Sequence, residues 1–277
     1  MKFTKMHGLG NDYIYFNCFE EKIDDPAELS IRLSDRHFGV GSDGIVLIMP
    51  SEVADFRMRM FNADGSEGKM CGNASRCIGK FVYENALTDK TTITLETLGG
   101  IRTLELEVEG KEVKSVTVDM GVASFKAAEV PAVAEKQEIV DEPIHMCGRE
   151  WKMTCVSVGN PHCVIFTQGI EDMRLEEIGP QFENCEIFPE RINTEFVEVI
   201  DSHCLKMRVW ERGSGETMAC GTGATATVAA AIKNGRSPVG EFITVKLLGG
   251  DLQIMQRPDG SMLMKGTATT VFEGYID

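Results

Sequence analysis

The chain has no apolar run long enough to cross a bilayer. Its most apolar stretch, around residues 226–232, falls far short of the roughly 20 residues a membrane helix needs. Positive charge is also scarce: 28 Lys and Arg stand against 43 Asp and Glu, a formal charge of −15. Nucleic acid and anionic membrane surfaces are therefore poor partners. No Cys-x-x-Cys pair occurs among the nine cysteines and the five histidines are scattered, so the spacing of a structural zinc site is missing. The opening Met1-Lys2-Phe3-Thr4 has no apolar core of an export signal. With that many cysteines, the expectation is reduced thiols in a cytoplasm rather than a disulfide framework. The glycine loop Phe38-Gly39-Val40-Gly41-Ser42-Asp43-Gly44 lacks the lysine of a phosphate-binding loop and its strand-to-helix setting. It is read as a tight loop at the edge of a site.

What the chain does hold is a short motif in duplicate. Met218-Ala219-Cys220-Gly221-Thr222-Gly223-Ala224 runs into the alanine-rich residues 225–232. That composition favours a helix, and Asn234-Gly235 is a reasonable stop. A helix apolar on all sides is a buried helix. Cys220 then stands at its N-terminus, where unbonded N–H groups and the positive dipole end favour an anion. Such a place is expected to lower a thiol's pKa and make it a proton acceptor or a nucleophile. A cysteine can equally be a small core hydrophobe, and the second copy decides between the two. Met70-Cys71-Gly72-Asn73-Ala74 also precedes a helical run, residues 74–85, and Glu67 and Glu216 each lie four residues before their cysteine. Cys71 and Cys220 are 149 positions apart, and the same offset carries Gly10-Asn11 onto Gly159-Asn160. An offset of 150 carries Leu98-Gly99-Gly100 onto Leu248-Gly249-Gly250.

A duplicated chain of 277 residues reads as two related domains. In the first half, β runs are expected over residues 13–19, 45–49, 56–61, 91–98, 101–108 and 113–120, with a helix over 26–37. Residues 123–142 read as the connection. In the second half, strands are expected over 151–158, 194–201 and 205–211, and a helix over 170–182. Strands around a helix apolar enough to be buried suggest a sheet wrapped about that helix. His162 falls beside the duplicated asparagine, Asn160, and is the histidine of interest. Two halves, each offering a cysteine at a helix start, imply two thiols facing one cleft.

Removing the α-proton of an amino acid and returning it on the other face needs a base and an acid on opposite sides of the carbon. Thiols, near pKa ~8.5, are nearly matched to that work at neutral pH. The helix end adds only about 0.3–2 kcal/mol, so the larger help must be electrostatic. N–H groups at Gly72-Asn73 and Gly221-Thr222 can hold a carboxylate as charge builds on it. Two other readings are a racemase of the same design acting on another amino acid such as proline, and a dithiol redox protein. Against the second, both cysteines carry the same flanks, whereas attacking and resolving thiols usually differ.

The motifs together are similar to those of diaminopimelate epimerases. They are His7-Gly8-Leu9-Gly10-Asn11-Asp12, Phe61-Asn62-Ala63-Asp64-Gly65-Ser66-Glu67, Cys71-Gly72-Asn73, Gly159-Asn160-Pro161-His162, Arg191-Ile192-Asn193 and Glu211-Arg212-Gly213-Ser214-Gly215-Glu216-Thr217 through Ala219-Cys220-Gly221-Thr222-Gly223. The resemblance implies an α/β (α+β) fold of two pseudo-symmetric domains, each a mostly antiparallel sheet rolled around a central buried helix. It places residues 1–119 plus 266–277 in the half carrying Cys71, and residues 120–265 in the half carrying Cys220. It further implies a cytoplasmic homodimer that interconverts L,L- and meso-diaminopimelate in lysine biosynthesis, with no cofactor and no metal. Carried over by position, Cys71 and Cys220 are the proton-transfer pair, and Gly72, Asn73, Gly221 and Thr222 hold the reacting carboxylate. Asn11, Asn62, Asn160, Asn193 and Arg212 recognise the substrate, and Glu211 and His162 support the reacting centre. Some members of that family place a substrate-contacting Gln where this chain has Gly44.

Overall fold

The computed structural model describes residues 1–276, which form two compact units: residues 1–119 with the chain from Lys265 onward, and residues 120–264. Residue 277, the end of the segment assigned to the first half, lies outside the described residues.

The first unit runs through β1 (Lys2–Gly8), β2 (Asn11–Asn17), α1 (Pro26–Ser34), β3 (Gly44–Met49), β4 (Phe56–Asn62), the two-residue β5 (Glu67–Gly68), α2 (Gly72–Glu84), β6 (Thr92–Thr97), β7 (Gly100–Glu109) and β8 (Glu112–Val122). Strands that follow one another directly pair antiparallel: β1 with β2, β3 with β4, β6 with β7 and β7 with β8. Strands separated by a helix pair parallel, β2 with β3 across α1 and β4 with β6 across α2. A parallel pair needs such a long crossover, and a helix supplies it.

The second unit repeats the plan. It holds β9 (Glu142–Met146), β10 (Arg149–Ser157), β11 (Pro161–Phe166), α3 (Leu175–Glu183), β12 (Asn193–Asp201), β13 (Cys204–Glu211), β14 (Gly215–Glu216), α4 (Gly221–Lys233), β15 (Ile243–Leu247), β16 (Gly250–Gln256) and β17 (Ser261–Gly266). β11 and β12 pair parallel across α3, as do β13 and β15 across α4, and the direct neighbours β10–β11, β12–β13 and β15–β16 are antiparallel. β18 (Thr269–Tyr275) pairs antiparallel with β1 in the first unit.

α4 is buried over nearly its whole length, with Gly223 through Ala231 closed off from solvent. It touches β10, β11, β12, β13, β15 and β16, so its sheet surrounds it. Alanines make that possible, because they let strand side chains approach the helix axis without loss of rotamer entropy. α2 is equally buried but far more polar: Asn73, Ser75, Arg76 and Lys80 all lie inside. Several of their polar atoms find partners, as buried groups generally do. Lys80 Nζ donates to Glu84 Oε1 (2.6 Å) and to the Val113 carbonyl (3.1 Å), and Arg76 Nε donates to the Thr267 carbonyl (3.1 Å). Both helices stop in the same way. Asn85 Nδ2 donates to the Phe81 carbonyl (2.9 Å) and Asn234 Nδ2 to the Ala230 carbonyl (2.8 Å).

Two expected helices come out shorter. α1 stops at Ser34 because the Asp35 carboxylate accepts the N–H groups of His37 and Phe38, both at 2.7 Å, and turns the chain away. The helix expected over 170–182 is interrupted: Ile170–Asp172 makes a 3-10 turn, and α3 begins only at Leu175. The strand expected over 194–201 begins one residue earlier, so that Asn193 opens β12.

α3 lies against Trp210, with Gly179 at the contact. A Cβ at residue 179 would stand 2.3 Å from the indole Cδ2, deep inside van der Waals contact. Overpacking of this kind costs about 1–3 kcal/mol. Gly179→Ala is expected to lower the urea midpoint accordingly, and an unchanged midpoint would show that the indole gives way.

Candidate active site

The sulfur of each duplicated cysteine serves as a helix N-cap. Cys71 has extended backbone (φ −136°, ψ 120°), and its Sγ accepts the N–H of Ala74 at 3.4 Å. Cys220 has the same conformation (φ −118°, ψ 108°), and its Sγ accepts the N–H of Gly223 at 3.3 Å. An oxygen side chain usually does this. Sulfur is a weak acceptor as a thiol and a strong one as a thiolate, so the cap favours the charged form. Gly72 and Asn73, like Gly221 and Thr222, are the first two residues of their helices. Amides in that first turn have no acceptor within the helix.

The chain leading to each cysteine is held by the same clasp. Arg59 grips Glu67 in two parallel bonds, Nε to Oε1 at 2.7 Å and Nη2 to Oε2 at 3.0 Å. Arg208 grips Glu216 likewise, at 2.7 and 2.9 Å. Each pair sits across a two-residue strand bridge, β4–β5 and β13–β14. Paired bonds of this geometry fix orientation as well as distance.

Around Cys71, Asn11 stands at the start of β2, after Gly10 in the left-handed region (φ 86°). Its Oδ1 lies 3.6 Å from Cys71 Sγ and accepts Asn73 Nδ2 at 3.1 Å. Asn62 Nδ2 donates to Ser66 Oγ (3.0 Å), which shapes the turn ahead of Glu67.

Around Cys220 the copy is more polar. Gly159 again takes positive φ (99°) before Asn160. Asn160 Nδ2 donates to Thr222 Oγ1 (3.2 Å), and that hydroxyl lies 3.4 Å from Cys220 Sγ. Asn160 Oδ1 meets His162 Nε2 at 3.0 Å, and His162 Nδ1 meets Glu195 Oε1 at 2.7 Å. His162 and Glu195 have no solvent exposure. Glu211 accepts the Thr217 hydroxyl at 2.5 Å. Asn193 bridges two backbone groups, donating to the Pro161 carbonyl (2.9 Å) and accepting the Arg212 N–H (3.0 Å). The Arg212 guanidinium donates to the Glu190 carbonyl (3.0 Å). Asn193 is thus engaged with the loops that carry Arg212.

One expectation is reversed. A helix start was expected to lower the thiol pKa, yet the Cys220 thiol lies well above its ordinary value. Burial is the largest cause, followed by the neighbouring carboxylates Glu211 and Glu195. The Gly223 N–H and the Thr222 hydroxyl pull the other way and lose. A helix end contributes about 2 kcal/mol at most, whereas removing a charge from water can move a pKa by several units. Burial likewise raises the Glu211 carboxyl, against the hydrogen bonds from Thr217 and Cys220.

Gly44 is explained by space. It opens β3 opposite Asn62, and a Cβ there would lie 2.0 Å from the Phe61 carbonyl oxygen. On this backbone the position accepts no side chain. Sequence reading missed two carboxylates, Glu195 and Glu183. Glu183, at the end of α3, accepts Gly213 N–H (2.8 Å), Trp210 Nε1 (2.7 Å) and Arg191 Nη1 (3.0 Å). It ties the Arg212 turn to the loop before Asn193. The signal for Glu195 was its place inside the unbroken buried run Asn193-Thr194-Glu195-Phe196-Val197, where a charge needs a partner.

The architecture defines a class before it defines a family. A hydroxyproline epimerase from Agrobacterium vitis, solved with bound trans-4-hydroxy-L-proline, superimposes with a TM-score of 0.71 at 16% identity, over 99% of this chain and 91% of that one. A phenazine biosynthesis (PhzF family) protein from Bacillus anthracis gives a TM-score of 0.72 at 16% identity, over 99% of this chain and 98% of that one. The fold is the two-domain, duplicated fold of these proteins. The diaminopimelate epimerase family model matches residues 3–126 and 154–271. Diaminopimelate epimerase of Methanococcus maripaludis strain C6 is 56% identical over the full length of both chains. That of Acetivibrio thermocellus is 55% identical over all of this chain and 99% of its own. The chain belongs to the diaminopimelate epimerase family.

A carboxylate beside a thiol disfavours the thiolate, so removing it must lower the thiol's pKa. In wild-type protein, alkylation of Cys220 followed by peptide mass spectrometry is expected to accelerate only above the usual thiol pKa of about 8.5. Glu211→Gln should move that profile to lower pH. A profile unmoved by Glu211→Gln would remove the carboxylate from the account.

Proposed function

We propose that the protein interconverts L,L- and meso-diaminopimelate without a cofactor, in lysine biosynthesis, with Cys71 and Cys220 as the proton-transfer pair. One sulfur, as thiolate, takes the α-hydrogen as a proton. The other, as thiol, delivers a proton to the opposite face of the carbanion, and the roles exchange in the reverse direction. A single observation carries the reading: two sulfurs occupy matching N-cap positions, each beside helix-start amides suited to a carboxylate. Those amides, at Gly72, Asn73, Gly221 and Thr222, stabilise charge that grows on the carboxylate as the α-proton leaves.

Asn11, Asn62 and Asn160 contact the substrate in this reading, and Asn193 acts mainly by holding Arg212. Arg212 suits the distal carboxylate, since a guanidinium binds it with two parallel hydrogen bonds. Glu211 and His162 move protons to or from Cys220. The same sulfur pair could serve a proline racemase, and the family membership favours the doubly charged substrate instead. The protein works in the cytoplasm, where its nine cysteines stay reduced. It works as a homodimer, for which the exposed Val271, Phe272 and Tyr275 of β18 offer an apolar surface.

In deuterated water, solvent label should appear at the α-carbon of diaminopimelate and not of proline. Cys71→Ser and Cys220→Ser should each reduce turnover by a factor of about 10² to 10⁴, the usual contribution of a positioned acid or base. Turnover retained in either variant would sink the two-base reading. Sedimentation should give twice the 30.5 kDa chain mass, and a monomer at working concentration would count against the dimer.

A further inference from the structure

The glycine loop between α1 and β3 takes no part in the chemistry above, yet its carboxylate is aimed at the machinery. Asp43 Oδ2 accepts Asn11 Nδ2 at 2.8 Å and the Asp12 N–H at 3.1 Å. Asp43 Oδ1 accepts Arg36 Nη2 at 2.9 Å, and the same Arg36 nitrogen reaches Asp12 Oδ1 at 2.8 Å. Lys5 pairs with the other oxygen of Asp12. The loop backbone is fixed as well: the Asp43 N–H donates to the Asp12 carbonyl (2.8 Å), and the Asp43 carbonyl accepts the Ala63 N–H (3.0 Å). Arg36 and Lys5 supply the cations that keep two neighbouring acids, Asp12 and Asp43, in one small cluster.

An ionised carboxylate can only accept hydrogen bonds. The amide of Asn11 must therefore turn its Nδ2 toward Asp43, which turns its Oδ1 the other way. There the oxygen meets Asn73 Nδ2 at 3.1 Å and Cys71 Sγ at 3.6 Å. A carbonyl oxygen welcomes an S–H and opposes a thiolate. We propose that Asp43 is a positioning residue: it sets the direction of the Asn11 amide and through it favours the protonated form of Cys71. The inference rests on Cys71 being a proton-transfer group. Tyr15 on β2 and Arg76 and Cys77 on α2 also act on Cys71. Asp43 itself bonds to Asn11, Asp12, Arg36 and Ala63 and to none of these three.

Neutralising Asp43 removes the requirement. In Asp43→Asn the Asn11 amide can reverse and offer Nδ2 to the sulfur, which favours thiolate. The test follows the rate of Cys71 carboxamidomethylation against pH by peptide mass spectrometry. Asp43→Asn is expected to raise that rate at neutral pH about two- to tenfold, the span of one hydrogen bond, with Cys220 unmoved. Asn11→Ala removes the opposing oxygen and should raise it similarly, and adding Asp43→Asn to Asn11→Ala should change nothing more. An Asp43→Asn profile identical to wild type overturns the proposal, as does a further rise in the double variant. Where Asp43→Asn fails to fold, Asn11→Ala alone decides, and an unchanged rate overturns it. Alkylation needs no substrate, so the epimerase reading stands or falls separately on the deuterium experiment.

Discussion

A sulfur atom capping a helix is the constraint on which the rest of the structure depends. For Cys71 or Cys220 to accept the N–H three residues on, the cysteine must be extended while its successor is already helical. The chain reaching it must arrive from a fixed direction. The Arg–Glu clasps across β4–β5 and β13–β14 provide that direction. The helix behind must not fray, and burial over nearly all of α2 and α4 prevents it. Burial requires a sheet on all sides, which the alternation of antiparallel neighbours and helix-spanning parallel pairs delivers. The capping sulfur thus sits at the head of a buried helix in each unit, as a site working at ångström tolerance requires.

Capping alone does not set the charge on the sulfur. At Cys220 the favourable contacts of Gly223 and Thr222 are outweighed by burial beside Glu211 and Glu195. Near Cys71 the second contact is an amide oxygen, oriented by a carboxylate one step removed. At Cys220 the surroundings favour thiol over thiolate; at Cys71 the amide oxygen acts in the same direction and the buried Arg76 guanidinium in the other. A thiol held above its ordinary pKa gives, once deprotonated, a stronger base, which matters against a weak carbon acid.

How much of this was legible in the sequence follows from the range over which each feature is encoded. The cysteine helix starts, the Asn234-Gly235 stop and the glycine before each asparagine are written in adjacent residues, and the structure has them where local chemistry put them. The burial of α4 was readable from its alanines. That of α2 was expected as well, but the residue-level means were not legible: Arg76 and Lys80 are inside only because Thr267, Glu84 and Val113 wait for them. The same holds for Glu183, Glu195 and Asp43, whose partners lie 30 residues or more away in at least one bond each. The raised thiol of Cys220 was missed for a related reason. A dipole can be inferred from a helix start, whereas desolvation depends on everything packed around it.

The duplication shows how one scaffold was given two electrostatic settings. At the offset of 149 positions, Arg59 and Glu67 of the first half recur unchanged as Arg208 and Glu216, and Asn11 as Asn160. These are the residues that aim the chain. At the same offset Tyr13 corresponds to His162, Val46 to Glu195 and Asn62 to Glu211. Three neutral positions in one copy have become a buried imidazole and two carboxylates in the other. Had the backbone been free to drift, such charges would have been costly to bury. The fixed pairing of β11 with β12 sets His162 opposite Asn193, and Glu195 within 2.7 Å of the imidazole. Geometry was kept and charge was varied, which is what a reaction symmetric in shape but not in proton inventory demands.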